Sequence, residues 1–188
     1  MDLRMMKTRL QIKNAYMALR EKLMPEKIKV KDICEMAMIN KTTFYKHYTD
    51  SIELSNEIED NAIDRVVATF TERDSIFETP KGYISGLLAA LDRESSNLKV
   101  VFRGKQELLC AKLEEKLSRF YDGKVQNEDD RVRLSFAIGG FVRVAKDYIF
   151  AEKKIDMQKM MESTTRMLEA LLNRQEQIKA KSKAQPQT

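Results

Sequence analysis

The sequence predicts an all-α protein, and three observations carry that prediction. Proline and glycine are scarce, 3 and 6 in 188 residues. Helix formers such as Leu, Met, Ala, Glu, Lys and Arg dominate. No sustained stretch alternates β-branched or aromatic residues with polar ones, whereas apolar residues recur at three- and four-residue steps. A chain of this length holds one large or two small domains and buries a proper core.

The elements follow in order. Ile12, Ala15, Tyr16, Leu19 and Leu23 mark a first amphipathic helix over about 7–24, stopped by Pro25. Val30, Ile33, Cys34 and Ala37 mark a short helix over 30–37. Asn40 is a good N-cap with Thr43 three residues on, so a third short helix starts at Lys41. Asp50 and Glu53 form a capping-box-like pair that starts a fourth helix near Ser51. Its stripe of Leu54, Ile58, Ala62, Val66 and Phe70 makes it long, a link between the first quarter of the chain and the rest.

Pro80 suits the first turn of a fifth helix over about 80–93, carrying Tyr83, Leu87, Leu88 and Leu91. A separate short apolar segment, LKVVF, occupies 98–102. Leu108, Leu109, Leu113, Leu117, Phe120 and Tyr121 predict a helix over about 105–121, and YDGKVQNEDD (121–130) reads as a loop punctuated by Gly123. The stretch FAIGGFVRVAKDYIF (136–150) is apolar nearly all round and is expected to be buried on most sides, with Gly139 and Gly140 permitting close packing. A last helix over about 156–176 repeats Met157, Met160, Met161, Thr164, Met167, Leu168 and Leu171. The polar tail, about 177–188, is poor in apolar residues and is expected to be disordered.

Composition excludes several classes. No apolar run approaches the ~18 residues of a membrane span, and the N-terminus MDLRMMKTRLQIK has no apolar signal core. Cys34 and Cys110 sit far apart in apolar surroundings, which suits buried free thiols in a reducing compartment, so a cytoplasmic location is expected. His47 is the only histidine, and there is no cysteine pair, so no zinc set is expected. A triad enzyme would have to use His47; no catalytic residue, metal or cofactor is expected.

Charge then points to a partner. Residues 1–50 hold 11 Lys/Arg against 6 Asp/Glu, while residues 51–188 hold 23 of each, so the whole net charge of +5 lies in the first quarter. Such asymmetry suits an anionic partner, against the plain alternative of a solvated basic face. Two short helices joined by the tight turn Met38-Ile39-Asn40 have the helix-turn-helix layout, in which the second helix enters the DNA major groove. With Lys41 at the first helical position, Lys41, Thr42 and Tyr45 share an exposed face, while Phe44 points inward with Ile33, Ala37 and Ile39. Lys41 can reach a guanine edge or a phosphate, and Thr42 and Thr43 a base edge or thymine methyl. Tyr45, Lys46 and His47 are placed for phosphates. Tyr48 suits either side.

Residues 7–55, through the segment IKVKDICEMAMINKTTFYKHY and the pattern Thr43-Phe44-Tyr45-x-His47-Tyr48, resemble the DNA-binding domain of the TetR/AcrR family of bacterial transcriptional regulators. The rest of the chain resembles the family only in length and helical layout. The resemblance implies a helix-turn-helix domain over 1–51 and a helical ligand-sensing and dimerisation domain over 52–176. It implies a homodimer on double-stranded palindromic DNA, joined through the last two helices of each subunit, and a small-molecule effector in the C-terminal domain, most simply for a repressor. Phe141, Tyr148, Met161 and Leu168 are the expected interface residues; Tyr83, Phe102, Phe120 and Tyr121 are the expected effector-site aromatics. The chain departs from the family at three places. Lys29 stands where a Thr or Ser usually caps the second helix, gaining a cation beside DNA. Met38 stands at a turn position commonly glycine. Ser51 stands where a lysine often opens the fourth helix, so its hydroxyl and the helix N-terminus are left to meet a phosphate. The competing readings are a helical adaptor with a degenerate helix-turn-helix, and a regulator that answers to a protein rather than a small molecule.

Overall fold

A computed structural model of the chain describes residues 3–68, 80–121, 123, 125, 127–151 and 156–172. Among them are eight α-helices, one turn of 3-10 helix and no strand. The helices are α1 (Leu3–Arg20), α2 (Val30–Ala37), α3 (Lys41–Tyr45), α4 (Ser51–Val67), α5 (Pro80–Val101), α6 (Gln106–Tyr121), α7 (Glu128–Phe150) and α8 (Met157–Leu172); the 3-10 turn is Pro25–Lys27. Expectations that fall on Phe70 and on 177–188 lie outside the described residues.

Three predicted boundaries move. The segments 80–93 and 98–102 are one helix, because Leu91 and Leu98 lie two full turns apart and both are buried, so one face runs on beneath the polar residues between them. The loop ends at Asn127, whose side chain accepts the Asp130 amide at 2.9 Å, and the acids Glu128, Asp129 and Asp130 fill the first turn of α7. The first helix runs from Leu3 to Arg20, followed after four residues by the 3-10 turn.

The chain divides into two compact units. Met1–Ala62 and Ser96–Lys105 form one; Ile63–Ser95 and Gln106–Thr188 form the other. Helices α4 and α5 therefore each contribute residues to both. In the first unit α1 packs on α2 and α2 on α3, over a core that includes Ile12, Ile33, Phe44, Leu54, Leu98 and Phe102. In the second, α6 packs on α7 and α7 on α8, with Leu88, Leu91, Leu113, Leu117, Phe141 and Leu172 buried. Cys34 is buried as expected, whereas Cys110 is half-buried.

The first unit holds two polar clusters that local sequence does not announce. Arg20 is 1% exposed and donates to the carbonyls of Leu23 (2.9 Å), Val100 (3.1 Å), Val101 (3.1 Å) and Arg103 (2.8 Å). Arg103 donates in return to the carbonyls of Arg20 (2.6 Å), Glu21 (3.1 Å) and Leu23 (3.2 Å). Each guanidinium thus serves carbonyls left open where the other's helix ends, the end of a helix at which cations are favoured. Burial lowers the pKa of Arg20. Beside them, Tyr16 donates to Ser55 (2.9 Å), Ser55 to the buried Glu59 (2.8 Å), and Lys105 to Glu59 (2.7 Å) and Ser55 (3.2 Å). Gly104 closes this corner at φ 80°, and a Cβ there would lie 2.5 Å from the Met24 methyl carbon.

Candidate nucleic-acid interface

The helix-turn-helix is assembled from local signals. The Met38 backbone is left-handed (φ 53°, ψ 46°), the only non-glycine residue with positive φ among those described. That conformation lets the Ile39 amide turn back to the Cys34 carbonyl at 3.0 Å and ends α2. With methionine where glycine is common, the turn keeps its left-handed geometry and carries the strain, about 1 kcal/mol. Asn40 caps α3, its side-chain oxygen accepting the Thr43 amide at 2.8 Å. At the start of α2, Lys29 offers no side-chain acceptor, and only half of a capping box remains, the Lys29 amide donating to Asp32 at 3.2 Å.

Phe44 is fully buried and meets Tyr45 edge-on, with ring centres 5.6 Å apart. Lys41, Thr42, Tyr45 and Lys46 are exposed; Thr43, His47 and Ser51 are half-buried. Lys29, Lys41 and Lys46 have no ion-pair partner among the described residues, so their charge is available to an outside anion. Tyr48 is core: it is 2% exposed, so its place as an outward ring is closed.

What holds Tyr48 was missed at the sequence level. Arg9 donates to its hydroxyl at 3.2 Å and pairs with Glu57 at 2.9 Å; Lys13 pairs with Glu57 at 2.7 Å. Burial raises the Tyr48 pKa, and Glu57 raises it further. Burial alone would raise Glu57, yet the bonds from Lys13, Arg9 and Tyr48 outweigh it and hold the carboxyl at about 2. The available signal was Arg9 and Lys13 at i and i+4 on one face of α1, but their partner lies more than forty residues on.

The start of α4 at Ser51 keeps the expected Asp50 cap, with Glu53 reaching back to Thr49 instead of to Asp50. Asp50 accepts the amides of Ile52 and Glu53, both at 2.8 Å, while Glu53 accepts the Thr49 amide at 2.6 Å and hydroxyl at 2.8 Å. The bonds from Thr49 lower the Glu53 pKa. Asp50 thus occupies helix-terminal amides that were expected to meet a phosphate, leaving Ser51 its own hydroxyl and amide.

The other expected sites scatter. Tyr83, Phe120 and Tyr121 cluster, with ring centres 5.0 to 6.2 Å apart. Phe102 does not join them; it is buried in the first unit, because α5 runs on past the expected stop at 93. Beside Tyr83 and Tyr121 lies an apolar cavity of about 30 Å³, also lined by Leu117, Phe141, Leu168 and Leu172. An open groove of about 280 Å³ passes Ser118, Tyr121, Arg131 and Ser135.

Of the expected interface residues, Phe141 is 2% exposed within a single chain and has no surface to offer a partner; it is intrachain core. Tyr148 donates to Asp92 at 2.5 Å, and Leu168 lines the cavity. Nor is α7 buried on most sides. Val132, Phe136, Gly139, Gly140 and Arg143, which share one face at 100° per residue, are exposed, Phe136 at 71%. A Cβ on either glycine would meet nothing within 4 Å, so their smallness is not used inside the chain. Among the described residues no group of three or more His, Cys, Asp or Glu is placed to hold a metal, and no helix is long and apolar enough to cross a membrane.

A four-helix head with a capped helix-turn-helix and a mainly helical remainder is the fold of the TetR-family transcriptional regulators. Three solved structures share it. One is described as the dihydroxyacetone kinase operon activator DhaS (17% identical over 88% of this chain and 96% of that one, TM-score 0.60). Another is a TetR transcriptional regulator from Streptococcus agalactiae 2603V (19% identical, 88% and 95%, TM-score 0.59). A third is a TetR-family regulator from Streptomyces coelicolor A3 (17% identical, 89% and 95%, TM-score 0.66). No protein-family profile and no curated protein matches the sequence. At these identities the likeness establishes the fold.

Proposed function

We propose that the chain is a DNA-binding transcriptional regulator that acts without enzymatic activity, in the cytoplasm, as a homodimer on a palindromic operator. The observation that carries the reading is the outward face of α3. Lys41, Thr42, Tyr45 and Lys46 are exposed on a helix fixed from behind by Phe44 and from its start by Asn40. A helix-turn-helix that had lost its role would have no reason to keep short polar and cationic side chains on that face. Lys41, Thr42 and Thr43 face base edges in this reading; Lys29, Tyr45, Lys46, His47 and the Ser51 hydroxyl face phosphates. Selection of bound sites from random duplex DNA tests it. A two-fold-symmetric consensus is the expected result; recovery of no enriched sequence would remove the regulator reading and leave the helical adaptor.

The dimer is built, in this proposal, on the exposed α7 face of Val132, Phe136 and the two glycines, together with Met161 and the exposed Met167 of α8. A patch with two exposed glycines beside an exposed phenylalanine lets a partner helix approach closely. The effector is a small, partly apolar molecule taken between Tyr83, Phe120, Tyr121 and the open groove, and its binding releases the operator, as in a repressor. A second reading is favoured by one observation: the apolar cavity of about 30 Å³ is an order of magnitude below the roughly 300 Å³ at which ligand pockets begin. In that reading the chain answers to a protein. A thermal-shift screen of metabolites and aromatic cations, each hit titrated with and without operator, separates them, since an inducer must bind more weakly when operator is present.

A further inference from the structure

We propose that Met38, in the turn between α2 and α3, reads DNA directly: its thioether packs against the C5-methyl group of a thymine beside the base pairs met by α3. The inference rests on the DNA-binding reading of α3 and deepens it by adding a residue that determines sequence preference.

A methionine at this position does nothing for the fold that a glycine would not do. The turn uses its backbone alone. The Met38 amide donates to the Glu35 carbonyl at 3.2 Å, and the Ile39 amide to the Cys34 carbonyl at 3.0 Å. Both bonds go with the left-handed backbone at φ 53°. Glycine adopts that backbone without strain, and asparagine with little. Nor does the side chain offset the strain by packing, since Met38 is 88% exposed, more than any other large apolar residue among those described. Strain kept where the side chain touches so little of its own chain points to a contact outside it.

Position and chemistry narrow that contact. Met38 stands three residues before Lys41, so their Cα atoms are at most about 11 Å apart, the height of about three base-pair steps. The same helix-turn-helix carries Lys41 and Lys46, which have no ion-pair partner among the described residues. The nearest acid in sequence, Glu35, is paired with Lys31 at 3.6 Å. An exposed apolar tip beside unpaired cations suits a polyanion that displays apolar groups. Duplex DNA does so in its major groove, where thymine shows a methyl group. A thioether has no hydrogen to donate and accepts only weakly, so phosphates and polar base edges offer it little. The thymine methyl is the feature it can distinguish, and an unbranched, polarizable side chain adapts to that surface.

The test uses the full chain and a duplex that the wild type selects from random DNA. Each thymine is replaced singly by deoxyuridine, which removes the C5-methyl and nothing else. At one or more thymines, within about three steps of the pair whose preference changes in Lys41→Ala, the wild type is expected to bind about fourfold more weakly without the methyl, the worth of one buried methyl group. Met38→Gly and Met38→Gln are expected to bind the two duplexes equally, each near the wild-type affinity for the deoxyuridine duplex. Glycine removes the side chain and the strain together; glutamine keeps the length and the strained backbone and replaces only the apolar end. Where one variant loses its helical circular-dichroism signal, the other carries the comparison. A methyl effect that persists in the variants overturns the inference and spares the DNA-binding reading, as does a wild type indifferent to every thymine methyl. An effect lost in Met38→Gly but kept in Met38→Gln overturns it too, since backbone and not thioether would then be the cause. A wild type that enriches no sequence removes the DNA-binding reading and this inference with it.

Discussion

Arg9 clasps Tyr48 in two ways: its Nε donates to the phenol oxygen at 3.2 Å, and its guanidinium carbon lies 5.3 Å from the ring centre. The first bond fixes the hydroxyl of a buried tyrosine, and the second contact is a cation–π interaction. Glu57 closes the cluster, and because Lys13 and Arg9 both bond it, its proton affinity becomes a stability term.

The sign of that term follows from its direction. The Glu57 carboxyl titrates at about 2 in the folded chain, against an ordinary value of 4.5. The stabilisation is fully present above about pH 4.5 and is lost as pH falls toward 2, a swing of about 1–3 kcal/mol. Glu57→Gln is expected to lower stability at pH 7 and to narrow its deficit steadily between pH 4.5 and 2. Urea midpoints at pH 7, 4 and 2.5 check this. A deficit that stays constant across the window would show that the cluster carries no linkage.

Met38 predicts a gain rather than a loss. It is 88% exposed, so its side chain makes little packing contact, while its backbone sits at φ 53°. Met38→Gly is expected to stabilise the fold by about 0.5–1 kcal/mol, relief of strain exceeding the added chain entropy of glycine. An unchanged or lower urea midpoint would mean that the methionine side chain is engaged after all.

The recognition face separates two kinds of contact. If α3 meets DNA as proposed, Tyr45→Phe is expected to weaken binding to every duplex, since it would remove a hydroxyl placed for a phosphate. Lys41→Ala or Thr42→Ala is expected to alter preference at one or two base pairs, by about 1–3 kcal/mol each. Affinity for the selected site should fall steeply between 50 and 200 mM salt, by analogy with other phosphate-binding interfaces. A flat salt response would exclude phosphate neutralisation by Lys29, Lys41 and Lys46.

Two phenylalanines five residues apart on α7 make opposite predictions. Phe136 is exposed and Phe141 buried. Phe136→Asp is expected to yield a folded monomer, with helical content retained and the sedimentation coefficient reduced. Phe141→Asp is expected to unfold the chain, because a carboxylate would be buried beside Leu172 and Tyr83 without a partner. A wild type that is monomeric at micromolar concentration would dispose of the α7 interface.

Much of the head was legible because its signals are local. Asn40 and Asp50 cap the helices they precede, and Phe44 falls on the inner face by helical period alone. Legibility failed where geometry depends on a distant partner. Arg20 looks like one more charge on an amphipathic helix, and three of its four acceptors lie some eighty residues away. Phe136 and Phe141 belong to one apolar run, and only the placement of α6 and α8 decides which is core. The break expected near residue 93 reflected a run of polar side chains, but a helix needs only one buried stripe, and Leu91 and Leu98 supply it.

The carbonyls that serve Arg20 bear on any attempt to graft the first unit onto another chain of this fold. A splice made within α4 appears natural, since that helix follows the helix-turn-helix directly. It would leave Val100, Val101 and Arg103 behind with the discarded body, and a guanidinium sealed inside the graft with one acceptor of its four. The transplantable piece is discontinuous: the first sixty-two residues together with 96–105, two stretches that recombination at a single point cannot carry across. Partners for such an exchange must therefore bring their own arginine-serving turn, or a residue at position 20 that asks for none.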